Sequence, residues 1–190
     1  MKNFFKNIGT VNLFALTLFY LWVMLLSGSE EQTVEESLKK WLSGAQKVVV
    51  AGVGNPFRKD DFVGVEIVRN LKPKVSKKTF FIEAETIPES YMQKIVEFKP
   101  THVLLVDAGI INKPAGNAIL AHPEQLIKKT SISTHTLPLR IFCDYITQTA
   151  HAKLALLIIQ PVNVDFGEGL TPVLKKTAEN FTELLKTLLP

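Results

Sequence analysis

Two acids and one histidine, Asp61, Asp107 and His135, stand where the surrounding pattern does not call for charge. Asp61 sits at or just inside the start of a helix, Asp107 closes an apolar run, and His135 lies on a loop ahead of a helix begun by Pro138. A mixed oxygen, oxygen and nitrogen set with open positions suits a divalent transition metal. Each residue also has a plainer use. Aspartate is favoured at helix N-termini, where it meets free N–H groups, an acid can cap the turn after a strand, and a lone histidine can be structural. Asp60 and Asp61 are adjacent and only one is needed as a cap, which leaves the other for chemistry.

Other reactive types are set aside on their surroundings. The single cysteine, Cys143, excludes an internal disulfide framework and a cysteine-only metal cluster. It falls in an apolar helical stripe with no neighbouring base to activate it. His102 and His151 lie at the amino ends of strands and read as surface residues, and His122 before Pro123 reads as part of a helix start. Gly52 and Gly54 suggest a dinucleotide loop, but the third glycine of G-x-G-x-x-G would fall at Phe57. Their use is instead to let another part of the chain approach closely. The G-x-S-x-G elbow of serine hydrolases is missing from the sequence. The net charge of +4 is spread over scattered lysine pairs, without the basic stripe that nucleic-acid binding requires.

The elements that must position these residues follow from hydrophobic periodicity. Continuous apolar runs at 47–53, 102–106 and 154–159, with a strand at 79–83, have the character of parallel strands buried on both faces. Residues 118–121 form a short edge strand. Helical spacing marks 34–45, the stretch holding Phe62, Val65, Val68 and Leu71, and the runs Leu139, Phe142, Cys143, Ile146 and Leu170 to Leu188. Thr86-Ile87-Pro88-Glu89 has the capping-box pattern and predicts a helix opening there. Alternating strands and helices make an α/β fold with a mainly parallel sheet. Ligands in such sheets bind beyond the carboxyl ends of the strands, where strand order reverses. Segments 52–61, 106–109, 133–139 and 160–167 carry their polar residues to that edge.

Residues 1–33 differ from the rest. From Val11 to Leu26 the chain is almost wholly apolar, and residues 8–26 admit three readings: a membrane anchor, a secretory signal or a start codon placed too far upstream. Residues 34–190 are expected to form a single domain.

Taken together, these segments resemble the hydrogenase maturation endopeptidases. The resemblance rests on Gly52, Gly54, Asn55, Asp60, Asp61 and Gly64 after the first strand, then on Val106-Asp107-Ala108. Thr134-His135-Thr136-Leu137-Pro138-Leu139 and Gln160-Pro161 complete it. It covers roughly residues 46–189 and implies a three-layer α/β/α, phosphorylase/hydrolase-like fold. It also implies an endopeptidase that removes the C-terminal extension of a [NiFe] hydrogenase large-subunit precursor after nickel insertion. Asp61, Asp107 and His135 then map onto the metal ligands and the catalytic set, and the nickel arrives with the precursor. The implied location is cytoplasmic, with a possible tether at residues 8–26, and a monomer is expected. Phe62 and Glu85 depart from the family pattern, which often has small residues there. Two alternatives stand beside this reading: a nickel-precursor-binding chaperone without hydrolysis, with Phe62 as its only support, and a nucleotide-binding protein.

Overall fold

A computed structural model describes residues 32–73, 76–123 and 136–190. Five strands make one sheet: β1 (Val48–Val53), β2 (Thr79–Glu85), β3 (His102–Ala108), β4 (Ala118–Ala121) and β5 (Lys153–Ile159). Their order is β2-β1-β3-β5-β4, and all neighbours are parallel except β4, which runs antiparallel to β5 at the edge. The described helices are α1 (Val34–Leu42), α2 (Val63–Leu71), α3 (Met92–Phe98), α4 (Thr136–Ala150) and α5 (Pro172–Leu188).

The all-apolar strands are explained by two cores, one on each face of the sheet. On one face α1, α2 and α5 bring Leu38, Ile67, Leu71, Leu174 and Leu185 against Val48, Val50, Leu104, Val106 and Leu157. On the other, Ile95 of α3 and Phe142, Cys143 and Ile146 of α4 cover Val49, Ala51, Val103, Leu105 and Leu156. Alternation along each strand sends successive side chains to opposite layers. The result is the expected three-layer α/β/α arrangement. Burying one Leu, Ile or Phe side chain contributes about 1.5–3 kcal/mol, so each layer is held to the sheet chiefly by its apolar stripe.

Several expectations require correction. Thr86-Ile87-Pro88-Glu89 is not a working capping box. A 3₁₀ turn, Pro88–Tyr91, occupies that place without a side-chain cap, and α3 starts only at Met92. The proline favours the tight turn, while Glu89 sends one buried carboxylate oxygen to no partner. His102 is not a surface residue. It is 3% exposed, its Nδ1 lies 3.0 Å from the Thr101 hydroxyl, and its ring meets Trp41 edge-on at 5.0 Å. The layer added by α1 covers that end of β3, which a strand-end position alone does not reveal. His151 is exposed as expected.

Among the described residues no helix is long and apolar enough to cross a membrane. Residues 8–26, on which the anchor and signal readings rest, lie outside the described residues.

Candidate active site

The strand order reverses between β1 and β3: β1 is followed by β2 on one side and β3 takes the other. Asp61 follows β1 and Asp107 is the penultimate residue of β3, so both stand at the crevice where this topology opens. Asp107 is 5% exposed and Asp61 8%. Burial first, and the negative charge of Asp61 second, push the Asp107 carboxyl up to about 7 against a lowering hydrogen bond from the backbone of Ala108. The two side chains are thus close enough to repel, in a place where water screens poorly.

The Asp61 carboxylate is oriented by the loop that leads to it. The Asn55 amide donates to Asp61 Oδ2 at 2.9 Å, and the Asn55 side chain accepts the Phe57 amide at 2.9 Å to hold the loop itself. A 3₁₀ turn, Lys59–Phe62, then carries both acids into α2 with no side-chain cap at either helix start. Neither aspartate is therefore a helix cap, although their position predicts one.

Asp60 has a different task. Its carboxylate accepts from the amides of Val162 and Asn163 at 3.0 Å each, from the Thr171 amide at 2.7 Å and from the Thr171 hydroxyl at 3.0 Å. Its own amide donates to the Asn163 carbonyl at 3.1 Å. The side chain is fully buried and ties the turn to the segment between β5 and α5. Lys59 and Gly167 strengthen the junction: the Lys59 amide donates to the Gly167 carbonyl, and the Gly167 amide to the Phe57 carbonyl.

The glycines of this region are dictated by space. A Cβ on Gly64 would meet the Val106 carbonyl oxygen at 2.1 Å and that of Val53 at 2.6 Å. One on Gly52 would meet the Gly64 carbonyl oxygen at 2.3 Å. The first turn of α2 therefore sits directly on the backbones of β1 and β3, which brings Asp61 over the end of β3. Gly52 and Gly54 serve this approach, and the nucleotide-loop alternative has no further use for them.

Gln160, whose role the sequence left open, also supports the site. Its side-chain oxygen accepts the Ile111 amide at 2.9 Å, tying the loop after Asp107 to the end of β5. His135 lies outside the described residues, and α4 begins one position later at Thr136. Among the described residues no group of three His, Cys, Asp or Glu side chains is placed to hold a metal. What is present is a pair of buried carboxylates whose mutual repulsion a divalent cation would relieve, so the pair fits the oxygen part of such a site.

Residues 65–187 match the family model for HycI, the hydrogenase maturation proteases. A putative hydrogenase maturation protease of Methanocaldococcus jannaschii is 31% identical over 164 residues, spanning 82% of this chain and 94% of the relative. The chain belongs to the hydrogenase maturation protease family. It is accordingly a peptidase. The hydrogenase 3 maturation protease of Escherichia coli K12 is 25% identical over 73% of this chain and 88% of its own length. The crystal structure of a [NiFe] hydrogenase maturation protease HycI from Thermococcus kodakarensis superposes with a TM-score of 0.75 at 34% identity, covering 80% of this chain and 98% of that one.

Membership in the maturation proteases speaks against a chaperone without hydrolysis. Phe62, its one residue in favour, lies beneath the Arg69 guanidinium at 5.0 Å and lines a groove beside the acid pair.

Proposed function

We propose that this protease removes the C-terminal extension of a [NiFe] hydrogenase large-subunit precursor once nickel is in place, and that Asp61, Asp107 and His135 recognise that nickel. The observation that carries this reading is the buried Asp61–Asp107 pair at the switch point of the sheet, with Asp107 raised to about 7. Leaving two carboxylates together out of water is costly, and a cation offsets that cost. An incoming nickel ion, held by the substrate, would convert the pair from a repelling arrangement to a ligating one. The precursor without nickel offers no such gain and would bind less well. Selection for the loaded precursor is then built into the electrostatics of the cleft.

Hydrolysis adds water across the peptide bond: oxygen joins the carbonyl carbon, the C–N bond breaks and the amine leaves with a proton. A carboxyl that titrates near neutrality can take a proton from water and return it, which is the property a general acid–base group needs. Asp107 has that property in the cleft without nickel, where Asp61 beside it maintains it; a ligated nickel would lower it and leave the carboxylate as a ligand.

The test is incubation of the full chain with nickel-loaded and nickel-free large-subunit precursor, read by mass spectrometry. Loss of a C-terminal peptide from the loaded form alone is the expected result. Equal cutting of both forms would end the nickel-recognition reading, and no cutting of either would end the assignment of this substrate.

A further inference from the structure

Next to the acid pair, on the side of α2, lies a groove of about 510 Å³. Phe62, the residue after Asp61, lines it, as do Glu66 and Arg69 one and two turns further along α2. Glu85 at the end of β2 and Glu168 before α5 complete its charged lining together with Lys175. Three carboxylates therefore meet two cations. Arg69 is already committed to Glu83, through Nε at 3.2 Å and Nη2 at 3.0 Å. Neither Glu85 nor Glu168 has a described ion-pair partner.

The rim of the groove is aromatic. Phe57 is 54% exposed and Phe166 85%, and their rings stack at 6.5 Å with 15° between planes. Large apolar side chains held in water mark a surface meant for a protein partner. This platform is rigid, because Asp60 and the Lys59–Gly167 hydrogen bonds fasten the Phe166 segment to the Phe57 loop. Glu85 adds a separate indication. Its φ of +50° lies in the left-handed region, where a residue with a side chain is disfavoured. Only its carbonyl, accepting the Gly54 amide at 2.9 Å, is needed to join β2 to the loop, and any residue supplies a carbonyl. The carboxylate serves no contact within the described fold.

We propose that the precursor docks on the Phe57–Phe166 platform and places one cationic side chain, lysine or arginine, in the groove between Phe62, Glu85 and Glu168. The inference rests on the function proposed above and names what that substrate presents beside the cut. A lysine or arginine joins an apolar stem to a charged head, matching a groove that pairs an aromatic wall with carboxylates in excess of its cations. Arg69 shows the arrangement in place, lying between the Phe62 ring and the Glu83 carboxylate. Phe62 and Glu85 both line this one groove, which makes it a determinant of which precursor is accepted.

The experiment measures cleavage kinetics of the full chain on nickel-loaded precursor. Glu85→Gln, Glu85→Gly, Glu168→Gln and Phe166→Ala are each compared with wild type. Glu85→Gly also relieves the backbone at that position, so a folded protein lacking the carboxylate is available even if the glutamine variant is poorly soluble. Each variant is expected to raise KM about tenfold with kcat unchanged, because charge complementarity at such a rim acts on encounter and docking. Added sodium chloride should raise KM for wild type more than for Glu85→Gln. Glu85→Lys should regain a wild-type KM on a precursor in which the Lys or Arg residues flanking the cut are replaced by Glu. Unchanged KM in both Glu85 variants and Glu168→Gln, with wild-type cleavage intact, overturns the groove proposal and leaves the peptidase reading standing. Wild type that cuts no precursor overturns both.

Discussion

Thr171 is bound to Asp60 twice, through its amide to one carboxylate oxygen at 2.7 Å and through its hydroxyl to the other at 3.0 Å. These two residues are 111 positions apart. They join the turn that presents Asp61 to the start of α5. Replacing Asp60 by Ala strands the amides of Val162, Asn163 and Thr171, and each unsatisfied buried donor costs about 1–3 kcal/mol. Asp60→Ala is expected to destabilise the fold by about 4 kcal/mol, and Thr171→Val, which loses only the hydroxyl contact, by about 1 kcal/mol. Urea denaturation of the two variants measures this. Equal midpoints for Asp60→Ala and wild type would disprove the tether.

Gly64→Ala introduces a Cβ against two strand carbonyls at 2.1 and 2.6 Å. Backbone cannot rotate aside as a side chain does, so a loss of about 3 kcal/mol or more, or failure to fold, is expected. Gly169→Ala, where nothing lies within 4 Å but φ is +79°, should cost only about 1 kcal/mol. Thermal melting of both distinguishes a steric requirement from a conformational one, and similar Tm losses would contradict the argument.

Asp107 gives the protein a pH signature. Its pKa in the fold is raised from 3.8 to about 7, so between those values the folded chain holds a proton that the unfolded chain has released. The stability this group contributes is complete below pH 3.8 and is lost as pH rises through about 7. Asp107→Asn abolishes that dependence. The fall in Tm from pH 5 to pH 8 should be smaller in the variant than in the wild type when both are free of metal. A parallel fall would show that Asp107 is not the titrating group.

Asp61→Ala, Asp107→Ala and His135→Ala are each expected to reduce precursor cleavage at least about 100-fold, the scale on which directly acting groups contribute. Circular dichroism should remain that of the wild type. Full processing by all three variants would remove these residues from the site.

The Cys143 thiol, buried and pushed up to about 12 by desolvation and then by Asp144, should resist iodoacetamide in the native protein and react after denaturation. Rapid native labelling would place it outside the core.

The sheet was legible in the sequence because parallel strands covered on both faces leave long apolar runs, and the position of Asp107 at the carboxyl edge was legible because it closes one of them, with Asp61 in the polar loop that follows another. Asp60 was not. Its partners at 162, 163 and 171 come close only after the whole sheet has assembled, and an aspartate before a helix looks like a cap whatever it binds. The burial of His102 depends on Trp41 from a helix of another layer, and the left-handed backbone of Glu85 has no signature in a glutamate. The strand order that sets the crevice between β1 and β3 likewise follows from long-range pairing rather than from any local pattern.

The seat of the first turn of α2 has one further consequence. With Gly64 resting on the carbonyls of Val53 and Val106, no side chain lies between the turn and the sheet to yield under load. The Asp61 position is then fixed by the spacing of β1 and β3, in the way a bearing is fixed by its housing. Residues at the rim, among them Phe62, Glu85 and Phe166, can be exchanged without moving that bearing. New substrate preferences can therefore be grafted onto this chain by redesigning its rim while the acid pair keeps its alignment.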